Sequence, residues 1–235
     1  MIVNSTDIKT NFGKYLDLVQ KEDIVITRNK KPVAILTKYS KYRDIIKDSS
    51  GDYIYDNSEI TYDEFIEVYK NTDGRFEYLD GVVYQLIPPS HTHQHIISCV
   101  IGEFYTYFKD KNCKPYVGPY DIYFNNSPTK DIVQPDIFVI CDHENIRNDR
   151  YFGIPDLIVE VTSPSTRNND LVKKLNLYLQ SGIKEYVIFD TKNKNVVQWN
   201  FNNKQVQKCN TIAKMGVYKS NIFDGLEINL SIIFQ

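Results

Sequence analysis

Two carboxylates stand in apolar runs where a carboxylate is costly. In Ile154-Pro155-Asp156-Leu157-Ile158-Val159-Glu160-Val161-Thr162 both alternating faces around Glu160 are apolar, the mark of a strand buried on both sides. An ionised group there is destabilising unless a metal, a paired cation or hydrogen bonds compensate it. In Val133-Gln134-Pro135-Asp136-Ile137-Phe138-Val139-Ile140 an acid again opens an apolar strand. Two neighbouring strands that each present one carboxylate toward the same spot make a hard-oxygen site, suited to Mg²⁺ or Mn²⁺. For Glu160 the structural alternative is an ion pair with Arg or Lys at the strand end.

A third piece is Asp170-Leu171-Val172-Lys173-Lys174-Leu175-Asn176-Leu177-Tyr178. Asp170, Lys174 and Tyr178 recur every four residues and so share one helix face. Leu171, Leu175 and Leu179 form the adjacent stripe, expected to dock on a sheet. Lys174 is then expected to emerge at the edge of that interface, within reach of the carboxylates. Its structural alternative is a surface Asp–Lys helix pair. Two acids, a divalent cation and an ammonium together describe phosphodiester hydrolysis. His91-x-His93-x-His95 invites a metal reading, but residues two apart on a helix diverge by about 200°, so three rings cannot converge. His93 continues the stripe of Ile97, Val100 and Phe104 and can face the carboxylates as a general base or phosphate contact. A hydrogen-bonded core histidine is the alternative.

These pieces need a scaffold, and the chain divides naturally. Residues 1–47 carry ten basic groups against five acids, a net of +5, which leaves −7 on the remainder of a chain of total charge −2. A basic module on an acidic body points to a polyanionic partner for the module, or simply to a solvated surface. Its pattern is β-α-β-β-α: a strand at 2–4, a helix capped by Ser5 or Thr6 and carrying Ile8, Phe12, Tyr15, Leu16 and Val19, strands at 24–27 and 32–36 across Arg28-Asn29-Lys30-Lys31, and a helix from Tyr39 to Lys47. So small a module is marginal alone, and a homodimer is expected. Residues 48–58, opening with Asp48-Ser49-Ser50-Gly51-Asp52, read as a linker.

The unit at 59–235 begins with the capping box Thr61-Tyr62-Asp63-Glu64. A hairpin across Asp80-Gly81 follows, then a long helix marked by Ile96, Ile97, Val100, Ile101, Phe104, Tyr105 and Phe108. Strands are expected at about 115–124, 136–141 and 155–162, a helix at about 167–181 ending at Gly182, and strands near 184–190 and 195–201, with short strands in the tail. The fold class is α+β/α/β, with a central mixed sheet flanked by helices. No apolar run approaches 18 residues, so no membrane span is expected. Cys99, Cys113, Cys141 and Cys209 form no C-x-x-C pair, which suits reduced thiols in the cytoplasm.

Residues 60–200 resemble the Uma-two family of restriction-endonuclease-like proteins, within the PD-(D/E)XK superfamily. The segments that carry the likeness are Phe76-Glu77-Tyr78-Leu79-Asp80-Gly81, Pro88-Pro89-Ser90 with His93-Gln94, Gln134-Pro135-Asp136, Pro155 to Thr166, Asp170 to Tyr178 and Gly182-Ile183-Lys184-Glu185-Tyr186. The resemblance implies a Mg²⁺- or Mn²⁺-dependent endonuclease acting on nucleic acid, DNA above all. It implies Asp136 and Glu160 as metal ligands and Lys174 as the catalytic lysine, because Thr162 stands where the superfamily often has that lysine. Gln134 is implied at the metal shell or substrate, and Glu77 as the upstream acid. Residues 1–47 resemble the Phd/YefM antitoxins, through Asn4 to Leu16, Ile24-Val25-Ile26-Thr27-Arg28-Asn29 and Lys31-Pro32-Val33-Ala34-Ile35-Leu36. That likeness implies a dimer contacting DNA phosphates through Lys9, Lys14 and Arg28. Lys30 stands where the turn often has Gly, and the nuclease-like domain replaces the usual toxin-binding tail. A non-catalytic DNA-binding regulator and a self-restrained toxin–antitoxin fusion are the alternative readings.

Overall fold

The computed structural model describes residues 1–19, 21, 24–28, 31–36, 60–72, 74–86, 88–124, 130–162 and 173–235. The expected helix at 39–47, the linker at 48–58, Asn29, Lys30 and Asp170 lie outside the described residues. The chain forms two compact units, Met1–Lys47 and Asp48–Gln235.

In the first unit β1 (Ile2–Asn4) leads into α1 (Ser5–Thr10) and α2 (Phe12–Leu18), followed by β2 (Ile24–Arg28) and β3 (Lys31–Leu36). β1 pairs parallel to β2, and β2 antiparallel to β3. The helix is capped by Asn4, whose side chain accepts from the Thr6 amide at 3.0 Å, and not by Ser5 or Thr6. The expected single helix breaks at Asn11. Tyr15, Val19 and Ile24 form its small core, whereas Phe12 and Leu16 from the same stripe are 49% and 44% exposed.

The second unit opens with α3 (Tyr62–Asn71), held by the expected capping box: Thr61 Oγ1 accepts from the Glu64 amide, and the Glu64 carboxylate accepts from the Thr61 amide. β4 (Phe76–Leu79) and β5 (Val82–Gln85) form the hairpin. Asp80 and Gly81, with φ of 51° and 80°, give the left-handed turn that matches strand twist. Then come α4 (His91–Phe108), β6 (Lys114–Val117), β7 (Ile122–Phe124), β8 (Asp131–Val133), β9 (Ile137–Ile140), β10 (Ile146–Arg147), β11 (Arg150–Tyr151) and β12 (Leu157–Thr162). α5 (Leu175–Ser181) stops at Gly182, whose φ of 96° closes the helix. β13 (Glu185–Asp190), β14 (Asn195–Asn202), β15 (Gln205–Ala213), β16 (Val217–Lys219), β17 (Glu227–Asn229) and α6 (Leu230–Ile233) complete the chain.

The single central sheet expected from the sequence is in fact two six-stranded sheets, in the orders β10-β11-β7-β8-β4-β5 and β15-β14-β13-β12-β9-β6, and β16 and β17 form a hairpin of their own. The segment expected as one strand at 115–124 is divided between them, β6 in one sheet and β7 in the other, with Gly118-Pro119 in the break. The tail holds a nine-residue strand and a terminal helical turn, where only short strands were expected.

Alternation along the second sheet builds two cores. Ile137, Val139, Leu157, Val159 and Val161 pack with Ile96, Val100, Phe104 and Phe108 of α4. Phe138, Ile140, Ile158, Tyr186 and Ile188 pack on the other side with Leu177 and Tyr178 of α5. Each such buried side chain contributes about 1.5–3 kcal/mol, which is what fixes the strand register on which the site depends. Cys113 and Cys141 are bonded to each other, correcting the expectation of reduced thiols. They flank the register pair Lys114 and Ile140 on antiparallel neighbours, a proximity that a spacing of 28 residues does not reveal. Cys99 and Cys209 are free. No helix among the described residues is long and apolar enough to cross a membrane.

Candidate active site

Glu160 lies on β12, a strand buried along its whole length, and is itself 4% exposed. Its Oε1 accepts from Lys174 Nζ at 2.9 Å and from the Tyr178 hydroxyl at 3.0 Å. The same ammonium lies 2.9 Å from Glu77 Oε1, on β4 of the other sheet. Lys174 therefore ties the two sheets together through a pair of buried carboxylates. It does not emerge at the edge of the interface as expected: it is 5% exposed. The docking face is the line of Lys174, Leu177 and Tyr178, with Leu175 and Leu179 only partly covered. Lys174 and Tyr178 do share a helix face, as the four-residue spacing requires. Burial, then the Glu160 charge, holds the Tyr178 phenol well above its ordinary range, so it acts as a neutral donor.

Asp136 sits one residue before β9, and Glu160 one residue past the register pair Val159–Ile137. The two acids thus leave adjacent antiparallel strands at the same level. Asp136 Oδ2 accepts from the Val161 amide at 2.8 Å, next to Glu160 in sequence. His93 Nε2 lies 3.2 Å from the same oxygen. His93 is in the first turn of α4, where Ser90 Oγ accepts from its amide at 3.3 Å. Its Nδ1 is buried and without a hydrogen-bond partner among the described residues. His91 and His95 point to solvent, as helical divergence demands.

Gln134 links this cluster to its surroundings. Its amide donates to Glu77 Oε1 at 2.8 Å. Its side chain accepts from Arg75 Nε at 3.0 Å and donates to Asp121 Oδ1 at 2.9 Å. Tyr69 donates to the other Asp121 oxygen at 2.9 Å, and its phenol is pushed up to about 12 by burial first and Asp121 next. The sequence carried no signal for Arg75, Tyr69 or Asp121, because they are joined only through a contact spanning 59 residues and another spanning 52.

Among the described residues no three His, Cys, Asp or Glu side chains form a ready metal cage. The donor types nevertheless fit a hard cation: Mg²⁺ is held by one or two carboxylates and otherwise keeps water and substrate oxygens. Glu77 and Glu160 carry two formal negative charges against the ammonium of Lys174 that they share, an excess that a cation offsets.

A second buried carboxylate has a different company. Glu185, fully buried on β13, accepts from Gln198 Nε2, Asn200 Nδ2, the Tyr218 hydroxyl, Ser220 Oγ and the Asn221 amide at 2.6–3.3 Å. It has no cation among the described residues. In the first unit Lys9 (α1), Lys14 (α2) and Arg28 (β2) are all exposed.

A family model described as "Putative restriction endonuclease", Uma2, matches residues 62–231. The model "Antitoxin Phd_YefM, type II toxin-antitoxin system" matches residues 1–66. An uncharacterized protein of Synechocystis sp. is 28% identical over 116 residues, or 49% of this chain, and the chain spans only 60% of that relative. The crystal structure of "a putative nuclease belonging to DUF820" from Anabaena variabilis superposes with a TM-score of 0.63 at 19% identity, over 74% of this chain and 97% of that one, which shows a shared fold. Since the first model covers well over half of the sequence, the chain belongs to the Uma2 family, with a Phd/YefM antitoxin domain at its N-terminus.

Proposed function

We propose that the larger unit is a metal-dependent nuclease that hydrolyses phosphodiester bonds, DNA being the preferred nucleic acid, and that the N-terminal module binds DNA and dimerises the chain. The observation that carries this reading is the level placement of Asp136 and Glu160 on adjacent strands, Glu160 beside a buried ammonium. Asp136 and Glu160 would hold Mg²⁺ or Mn²⁺. Such an ion, when bound, lowers the pKa of an attacking water and offsets charge on the phosphate.

The chain's own groups supply the rest. Lys174 places a positive charge beside Glu160 in a water-poor setting, where charge stabilisation is strongest. Glu77 holds the ammonium in place from the opposite sheet. Tyr178 fixes one oxygen of Glu160, and the Val161 amide fixes one oxygen of Asp136. His93, with Nε2 on Asp136, orients that carboxylate, and its Nδ1 is buried without a hydrogen-bond partner among the described residues. Lys9, Lys14 and Arg28 give the module exposed cations for phosphate contacts, which are salt-sensitive.

The test is cleavage of plasmid DNA, single-stranded DNA and RNA by the full chain with Mg²⁺, Mn²⁺ or chelator, beside Asp136→Asn and Glu160→Gln. Cleavage equal in parent and variants sinks the assignment. Salt-dependent DNA binding that is lost with the Lys9, Lys14 and Arg28 charges, without cleavage under either metal, identifies a regulator instead.

A further inference from the structure

A cavity of about 370 Å³ adjoins the Glu77–Lys174 cluster, lined by Tyr69, Arg75, Tyr120, Asp121, Gln134 and Arg150. Gln134 belongs to both places, its amide on Glu77 and its side chain in the cavity wall. Pro119 of the wall follows Gly118, whose amide donates to the Asp136 carbonyl at 2.9 Å. The cavity is therefore built against the segment that carries Asp136 and beside Glu77.

Its two guanidinium groups are uncommitted. Arg75 spends only Nε, on Gln134, and Arg150 rests 5.5 Å from the centre of the Tyr123 ring. Neither has a carboxylate within 4.0 Å among the described residues. Asp121, by contrast, is occupied at both oxygens by Gln134 and Tyr69. With Asp149 also in the wall, the lining carries two positive and two negative formal charges. So balanced a site is no simple anion trap. It fits a ligand with one anionic end and one flat end rich in polar edges.

We propose that this cavity seats one nucleotide of the nucleic-acid substrate, its phosphate on Arg75 and Arg150 and its base against the Tyr69 and Tyr120 rings. The proposal rests on the nuclease reading above and adds to it a strand-holding subsite beside the scissile bond. Guanidinium forks suit phosphate geometry, and aromatic faces hold bases of any sequence. A volume near the lower end of the usual ligand range suits one nucleotide better than a duplex segment.

The experiment is fluorescence anisotropy of a short labelled oligodeoxynucleotide, single-stranded or duplex, on the full chain with chelator present and salt varied. Lys9, Lys14 and Arg28 are changed to Ala throughout, so that binding by the first unit does not mask the cavity. Arg75→Ala with Arg150→Ala is expected to weaken single-strand binding at least about ten-fold and to lower the log–log salt slope by about 0.7, the share of one phosphate. Tyr120→Leu is expected to weaken it about five-fold or more with the slope unchanged. Thermal melts establish that the variants are folded. A folded double variant with parental affinity and slope overturns the proposal. If Asp136→Asn still abolishes cleavage in that case, the nuclease reading survives without this subsite. If the parent neither binds nor cuts nucleic acid, both fall together.

Discussion

Glu160 and Glu185 occupy neighbouring parallel strands, both buried, and yet they are solvated in opposite ways. Glu185 is wrapped by five neutral donors from β14 and the segment around β16. Glu160 shares an ammonium with Glu77 and takes one phenol. Neutral dipoles satisfy a carboxylate completely and leave it nothing further to do. An ammonium shared between two acids leaves negative charge in excess, beside an Asp136 side chain that is 19% exposed. Burial alone therefore does not mark a functional acid; the kind of compensation does. Glu185 is a fastener for the C-terminal segment, whereas on the proposed nuclease reading Glu160 is the poised group.

The largest expected effect tests the Glu160 half of this contrast. Glu160→Gln keeps the side chain's shape and its contact with Tyr178, while removing the charge. Cleavage is expected to fall by about 10³-fold or more, about 4 kcal/mol, as for loss of a central electrostatic group. Stability should change by less than about 2 kcal/mol, because Lys174 keeps Glu77. Asp136→Asn should behave alike. Rate constants under metal saturation, with denaturant melts alongside, decide it; a variant that unfolds yet keeps its rate per folded molecule reverses the roles.

Glu185→Ala is expected to do the opposite. Five donors lose their acceptor at once, and stability should drop by about 3–4 kcal/mol, with the activity of the remaining folded protein preserved. Equilibrium urea unfolding measures this. A loss below about 1 kcal/mol says that water replaces the carboxylate and that the fastener reading fails.

Metal removal separates the two acids more gently. Mg²⁺ at a hundred-fold excess over its dissociation constant stabilises a protein that binds it only when folded by about 2.7 kcal/mol. The melting temperature should therefore rise with Mg²⁺ in the parent and in Glu185→Gln, and stay fixed in Asp136→Asn and Glu160→Gln. A rise of equal size in all four places the ion elsewhere.

What the sequence made legible follows the same division. Glu160 and Asp136 stood out because each interrupts an apolar strand, and a local interruption is visible in local text. Lys174 was legible because helical spacing placed it with Tyr178, although its depth was not: only the folded partner Glu77, nearly a hundred residues earlier, makes that burial tolerable. Glu185 sits in an equally apolar strand, but its donors, Ser220 and Asn221 among them, lie in a tail that reads only as short strands with no stated partner. Two sheets in place of one, and the Cys113–Cys141 bond, escaped for the same reason. Strand order and cross-strand pairing are set by long-range packing, which periodicity does not encode. The N-terminal cap slipped by one residue, to Asn4, since Asn, Ser and Thr are near-equal caps.

The smallest effect concerns the two phenols that serve these acids, Tyr178 on Glu160 and Tyr218 on Glu185. Tyr218→Phe should cost about 2 kcal/mol, since its 2.6 Å bond is to a charged acceptor that has no cation among the described residues to stand in. Tyr178→Phe should cost about 1 kcal/mol, because Lys174 remains on the same oxygen. Burial first, and the adjacent carboxylate second, hold both phenols well above the ordinary value of 10. A proton held more tightly in the folded state contributes stability that is whole below pH 10 and is lost as pH climbs toward the folded-state value. Stability should therefore be insensitive to these groups from pH 7 to 10 and decline above it. The decline should be shallower in each Phe variant, which has one phenol fewer to ionise. Urea midpoints across pH 7–11 give the answer: a Tyr218→Phe curve parallel to the parent above pH 10 would mean that this phenol is not sealed against Glu185, and the contrast between the two acids would lose its sharper side.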